Sequence, residues 1–261
     1  MLELFHWEPN GGSLKLLVAL HEKGLDFHSR WVDFLSLEQY GLAPFNSPEA
    51  ALCIEGEAPV LVHDGNVIAD SFNTLLYLDD AFPAPPLQPA SAAGQWRIQV
   101  WARLFAEVLA PAVATLGCQR HLGAALAGRD RAALAQCAAQ LKVHERHAAW
   151  EAALADQYPE ALLEDSRRKL GLALGKVEAA LEKSDWLLDS GYSIADIDLF
   201  GLANALPALV PDIAGSTALP RFTAWLERMR ARPAVRRALA ASRSGHPEQA
   251  FAPGPEHSRW G

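Results

Sequence analysis

Between Phe82 and Pro89 the chain reads FPAPPLQP, four prolines in eight residues. Proline lacks the amide hydrogen that helices and sheet ladders need, so no regular element runs through such a stretch. It reads as an extended linker, residues 82–92, between an N-terminal and a C-terminal part. The division leaves about 80 residues on one side and about 170 on the other, both ordinary domain sizes. The two sides also differ in pattern.

Residues 1–81 alternate element types. Leu2–His6 is a short apolar run and predicts a strand. Asn10-Gly11-Gly12 breaks the chain, and Ser13 is placed to cap a helix carrying Leu14, Leu17, Val18 and His21 at helical spacing, closed by Gly24. Phe27–Val32 predicts a second strand, and Leu35 to Ile54 is poorly periodic. Pro59–His63 and Val67–Ala69 flank Asp64-Gly65-Asn66, a strong hairpin signal. Ser71 then opens a helix over Phe72–Asp80. This order implies a small sheet, parallel in its first half and antiparallel in its second.

Residues 93–245 read as helices throughout. Ser91–Leu116 carries Trp96, Val100, Trp101, Leu104, Phe105 and Val108 at mostly three- and four-residue steps. Ala132–Asp156 and Ala161–Lys183 are long periodic stretches. Ser193-Ile194-Ala195-Asp196 forms a capping box that opens a helix to about Leu206. Leu219–Ala231 and Ala234–Ala241 complete the set. Residues 246–261 have no periodicity and read as a loop or cover.

Composition narrows the function. The chain is half hydrophobic and 21% charged, a globular mixture. Its net charge of −8 argues against nucleic acid or anionic lipid as a partner. No apolar run approaches the roughly 18–20 residues that a bilayer requires, and the first residues show no secretion signal. Cys53, Cys118 and Cys137 are an odd, scattered set that makes neither a disulfide framework nor a zinc spacing. His144-Glu145-Arg146-His147 is one residue short of a metalloprotease helix. The expectation is a soluble cytoplasmic protein with no metal.

Three places carry candidate chemistry. Pro59 at a strand start is either a plain edge-strand opening or the cis proline of a thioredoxin-like sheet. In the second case its predecessor offers backbone N–H and C=O to an extended peptide. The hairpin and Asp70-Ser71 just beyond it favour the peptide-binding reading. Asp70-Ser71 at a helix start is a cap, and the same donors suit a carboxylate. The hydroxyl of Ser13 and the amides beside it suit a bound thiolate, whose pKa they lower. The place where a thioredoxin carries C-x-x-C holds no cysteine, so the thiol must come from a ligand. The Trp96/Trp101/Phe105 stripe is core packing, or in part the wall of a pocket at the domain junction.

Together, Ser13, Ala58-Pro59, the Asp-Gly hairpin, Asp70-Ser71, the proline linker and the Ser193–Asp196 box resemble the glutathione S-transferase superfamily over nearly the whole chain. The segments GSLKLLVALHEKGLDF, PVLVHDGNVIADS, YPEALLEDSRRK and WLLDSGYSIADI are most similar to bacterial β-etherases, which cleave lignin-derived β-aryl ethers. The resemblance implies an α/β plus all-α architecture: an N-terminal thioredoxin-like domain followed by a helical bundle domain. It implies glutathione as cosubstrate, lying along the strand at Pro59, with Gly12 and Ser13 at its thiol. Ala58 would pair with the cysteinyl unit, Asp70 and Ser71 would take the γ-glutamyl end, and Gln39 would reach the glycyl carboxylate. Ser13 would be the catalytic residue, with Trp7, Trp101, Phe105 and Trp260 around the aromatic ether. A homodimer, or a heterodimer with a related transferase chain, is also implied.

Two departures from the β-etherase pattern fall at the glutathione site. Gly12 stands where the β-etherases have Asn before the serine, and FNSPEAALCIEGEA replaces a loop with Asn-Pro-x-Gly-Gln. They keep open a second reading, a weakly active or silent transferase-fold subunit that pairs with and stabilises an active chain. A general transferase acting on electrophiles is a third.

Overall fold

The computed structural model describes residues 1–52, 58–141 and 144–254, with the side chains of His144 and Glu145 also outside the description. Strand β1 (Leu2–His6) runs parallel to β2 (His28–Trp31) and antiparallel to β3 (Val60–His63), which pairs with β4 (Asn66–Ile68). The order is β2-β1-β3-β4, parallel then antiparallel as expected. Asp64 and Gly65 both take positive φ, 48° and 84°, the geometry of a tight hairpin turn. Ala58–Pro59 is cis, and so is Ala84–Pro85.

Helix α1 (Gly11–Glu22) starts earlier than expected. Asn10, extended, is its N-cap residue, and Gly11 turns the chain at φ +53°. Ser13 is therefore inside the first turn and is not the cap. Gly24 closes the helix at φ +62°. The poorly periodic region forms short 3-10 turns and α2 (Pro48–Leu52). Helix α3 (Ser71–Ala81) is capped by Asp70, whose carboxylate accepts the Asn73 amide at 2.8 Å.

Helix α4 (Ala92–Ala125) is continuous, but π turns interrupt it at Phe105–Leu109 and Cys118–Leu122. Contrary to the expectation of no membrane-length apolar run, α4 has such a window, of mean hydropathy 1.3. Half of it is buried in the fold, where residues 110–117 pack on α7 (Glu160–Ala180), so it serves as a core helix. The single helix expected over Ala132–Asp156 is two, α5 (Arg131–Ala138) and α6 (His144–Ala155). After α7 come α8 (Ile194–Ala203), α9 (Leu206–Leu209), α10 (Pro211–Ala214), α11 (Pro220–Ala231) and α12 (Pro233–Leu239).

Every residue of α8 is buried. Helix α1 packs on α8 and α12, so the sheet side and the helical side share one core. A surface clasp reinforces that seam: Arg232 donates twice to Glu22, at 2.6 and 3.0 Å, and lies 3.5 Å over the Tyr192 ring.

The expected capping box opens α8. The Asp196 carboxylate accepts from the amides of Leu187 and Ser193 and from the Trp225 indole, at 3.0–3.1 Å. Burial nevertheless pushes its carboxyl up to about 6, against those hydrogen bonds, which pull it down. A carboxyl held above its unfolded value stabilises the fold when protonated. That contribution is fully present below about pH 4 and is lost as pH rises through 6. Over that window the wild-type chain should lose up to about 3 kcal/mol relative to Asp196→Asn. Urea midpoints of the two chains at pH 4, 5 and 6.5 measure this. A difference that grows in the opposite sense contradicts it.

Candidate functional site

The start of α1, the turns around Phe34 and Gln39, the middle of α4, α6, α8 and the chain after α12 enclose a cavity of about 140 Å³. Trp7, Gly12, Ser13, Gln39 and Ala58 all line it. Segments far apart in the chain thus bring five of the expected residues to one wall.

Gly12 lies directly over the proline. A Cβ there would stand 2.7 Å from Pro59 Cδ and 3.2 Å from Ser71 Cβ. A larger residue here requires a shift of Pro59 or Ser71. Pro59 and Ser71 thus sit directly beneath Gly12. Neither they nor Asp70 forms part of the cavity wall. Asp70 reaches electrostatically to Asp198, a fully buried carboxyl raised first by burial and held down by Lys15, whose Nζ is 2.7 Å away.

Ser13 is buried, and its hydroxyl oxygen accepts the Trp7 amide at 3.2 Å. That bond occupies the oxygen from behind and leaves the hydroxyl proton as the group's donor toward the cavity. Trp7 is itself fixed through its carbonyl, which can only accept, so His6 Nδ1 donates to it at 2.7 Å. His6 Nε2 then accepts from the Ser29 hydroxyl at 2.7 Å. Burial lowers the His6 pKa, which favours the neutral ring in this pairing. Gln39 presents a buried carboxamide oxygen with no partner among the described residues. Such a group costs free energy unless something else completes it. A bound polar ligand would do so, which suits the extended peptide.

Trp101 and Phe105 stack on each other, centroids 5.5 Å apart, with Phe105 fully buried and neither on the cavity wall. Helix α4 gives the wall Ala110, Val113 and Ala114 instead. Trp260 lies outside the described residues. Asn10, Tyr40, Trp150 and residues 250–254 line the cavity without having been singled out from the sequence. Only the last had a usable signal, a lone Phe251 in an otherwise aperiodic tail.

The arrangement offers helix-start amides, a serine hydroxyl, a carboxamide oxygen that can accept from a ligand N–H, and an apolar wall. It suits an anion or thiolate carried by an extended ligand. The chain's own described thiols do not serve: burial pushes Cys118 up to about 12, and Cys137 is exposed on α5. No cluster of three metal-ligating side chains occurs among the described residues.

Residues 13–81 match the description of the glutathione S-transferase N-terminal domain, and residues 138–233 that of its C-terminal domain. The chain is 31% identical over 250 residues to Protein LigF of Sphingobium sp. (strain NBRC 103272 / SYK-6), covering 93% of this chain and 94% of that protein. The crystal structure of beta-etherase LigF from Sphingobium sp. strain SYK-6 superposes with a TM-score of 0.82 at 30% identity, covering 92% of this chain and 99% of that one. Glutathione S-transferase 3 of Zea mays is 26% identical over 244 residues, 92% of this chain and 94% of that protein.

Proposed function

The chain belongs to the glutathione S-transferase family, and from that premise we propose that it is a glutathione-dependent β-etherase. Its substrates would be aryl ethers carrying a ketone beside the ether carbon. The observation that carries this reading is the convergence of Ser13, Gln39, Ala58 and Trp7 on one cavity at the start of α1. Likeness to a β-etherase along nearly the whole chain supports the same reading, and favours it over a silent partner subunit.

Glutathione supplies the nucleophile: its thiolate forms a C–S bond at the ether carbon, the C–O bond breaks, and the phenolate leaves with the electron pair. The chain's residues hold and align the reactants. Ala58 offers its backbone to the cysteinyl unit, and the Gln39 carboxamide donates to the glycyl carboxylate. Asp70 and Ser71, the latter packed under Gly12, take the γ-glutamyl end. The Ser13 hydroxyl and the first amides of α1 stabilise the thiolate and lower its pKa. Trp7, Val113, Trp150 and Phe251 form the aromatic acceptor's wall. Free Cys118 and Cys137 suit a reducing, cytoplasmic setting.

Purified protein, glutathione and a β-aryl ether ketone should release one phenol for each thioether formed, as measured by chromatography. Glutathione binding without release overturns the enzymatic reading. Release only after a related chain is added transfers it to the partner reading.

Pairing with a second transferase chain is part of the proposal. Trp96 and Val100, one turn apart on α4, are 62% and 48% exposed, an apolar step that a partner would cover. Trp96→Asp should halve the mass seen by light scattering. A wild-type mass near the 28.3 kDa of one chain removes the pairing.

A further inference from the structure

The chain after α12 crosses the cavity as a partition. Residues 250–254 line its inner side. Trp7 and Ala250 also line a second depression of about 410 Å³ on the outer side, with Trp31, Leu35, His121 and Arg129. Phe251 keys the partition into α4. It is buried, stacks on His121 at 6.0 Å, and lies where a Cβ on Gly117 would come within 2.3 Å of its ring.

Two neighbouring residues of the β1–α1 loop hold the chain after α12 at two points, Asn10 at the partition and Glu8 at the residues that lead to it. Asn10 Nδ2 donates to the Ala250 carbonyl at 2.8 Å. The buried Glu8 carboxylate accepts the Ser242 hydroxyl at 2.5 Å and the amides of Arg243 and Ser244 at 3.1 and 2.8 Å. Glu8 is joined to Asn10 through its own carbonyl, which accepts the Asn10 amide at 2.7 Å. The loop that leads to Ser13 is therefore also the anchor of the tail.

At about 140 Å³ the inner cavity is smaller than the roughly 300–1,000 Å³ usual for small-molecule sites. A tripeptide thiol and a two-ring ether exceed it together. More room there requires residues 250–254 to stand further toward the outer depression, and Asn10 and Glu8 hold the chain on that side. We propose that Glu8 is a specificity-determining positioning residue, which fixes the size of aromatic acceptor admitted by holding residues 242–244. The inference rests on the reading of the cavity as the acceptor site.

Glu8→Gln keeps the side chain's shape and can pair its oxygen with both amides and its N–H with the Ser242 oxygen, so it exchanges charged bonds for weaker neutral ones. The measurement is kcat/KM for a one-ring and a two-ring aryl ether ketone. In Glu8→Gln the two-ring to one-ring ratio should rise about fivefold, the difference between charged and neutral hydrogen bonds, and should do so through KM. The Kd for glutathione should stay unchanged. Ser242→Ala, which removes the hydroxyl's bond to Glu8 and its acceptance of the Gly245 amide, should move the ratio the same way, and serves if Glu8→Gln fails to fold. An unchanged ratio overturns the proposal, and so does an equal fall in kcat for both substrates. If the wild-type chain cleaves neither ether, the proposed function fails by itself. The ratio is then read as Kd for one-ring and two-ring aryl ketones by calorimetry, with the same outcomes deciding.

Discussion

Replacing Lys23 with Met is expected to cost the folded chain about 3–5 kcal/mol, the usual result of stranding a buried charge. Lys23 is at the end of α1 with its ammonium fully buried. It donates to Asp79 at 2.5 Å and to the carbonyls of Phe82 and Pro85 at 2.6 and 2.8 Å. Asp79 in turn accepts the amides of Leu87 and Gln88, at 2.8 and 3.1 Å. The linker's prolines give it no ladder of its own, so its backbone groups find these side chains instead. Methionine would leave the Asp79 carboxylate buried without its cation and two carbonyls without their donor. Urea unfolding at pH 7 checks this, and a loss below about 1 kcal/mol would show that the linker is held otherwise. The double variant Lys23→Met/Asp79→Leu should recover part of the loss, because it removes the stranded charge along with its partner.

The linker also shows where sequence reasoning reached its limit. Proline chemistry located it, because proline acts on its own neighbours alone. It did not say how the two sides pack: α1 lies on α8 across the linker and both sides share a core. The hairpin at Asp64-Gly65 and the capping box at Ser193–Asp196 were legible for the same local reason. The acceptor wall was not. The periodic stripe puts Trp101 and Phe105 on one face of α4 but does not say which neighbour that face meets, and Ala110, Val113 and Ala114, beyond the first π turn, line the cavity instead. The break between α5 and α6 falls in alanine-rich sequence that carries neither proline nor glycine, so nothing local announced it. Gln39 lies in the aperiodic region, where only the resemblance to a family singled it out.

Ser13→Ala is expected to lower kcat/KM for ether cleavage about a hundredfold at pH 7, the cost of removing one donor from a developing or resident anion. The Trp7 amide holds the hydroxyl oxygen from one side, so its proton is the part left to face the thiolate. Alanine removes that donor and leaves the α1 amides in place. Thiolate stabilisation should therefore fall without vanishing. A hundredfold corresponds to about two pKa units, so the bound thiol should titrate that much higher in the variant. The deficit should shrink as pH rises, because the thiol then ionises without help. Ultraviolet absorbance of the thiolate in the binary complex tracks this directly, and the pH profile of kcat/KM tracks it independently. Lost binding would act differently: it would raise the glutathione Kd equally at every pH and leave the titration where it was. An unchanged titration would take the thiolate out of Ser13's hands and leave the helix start as its only support.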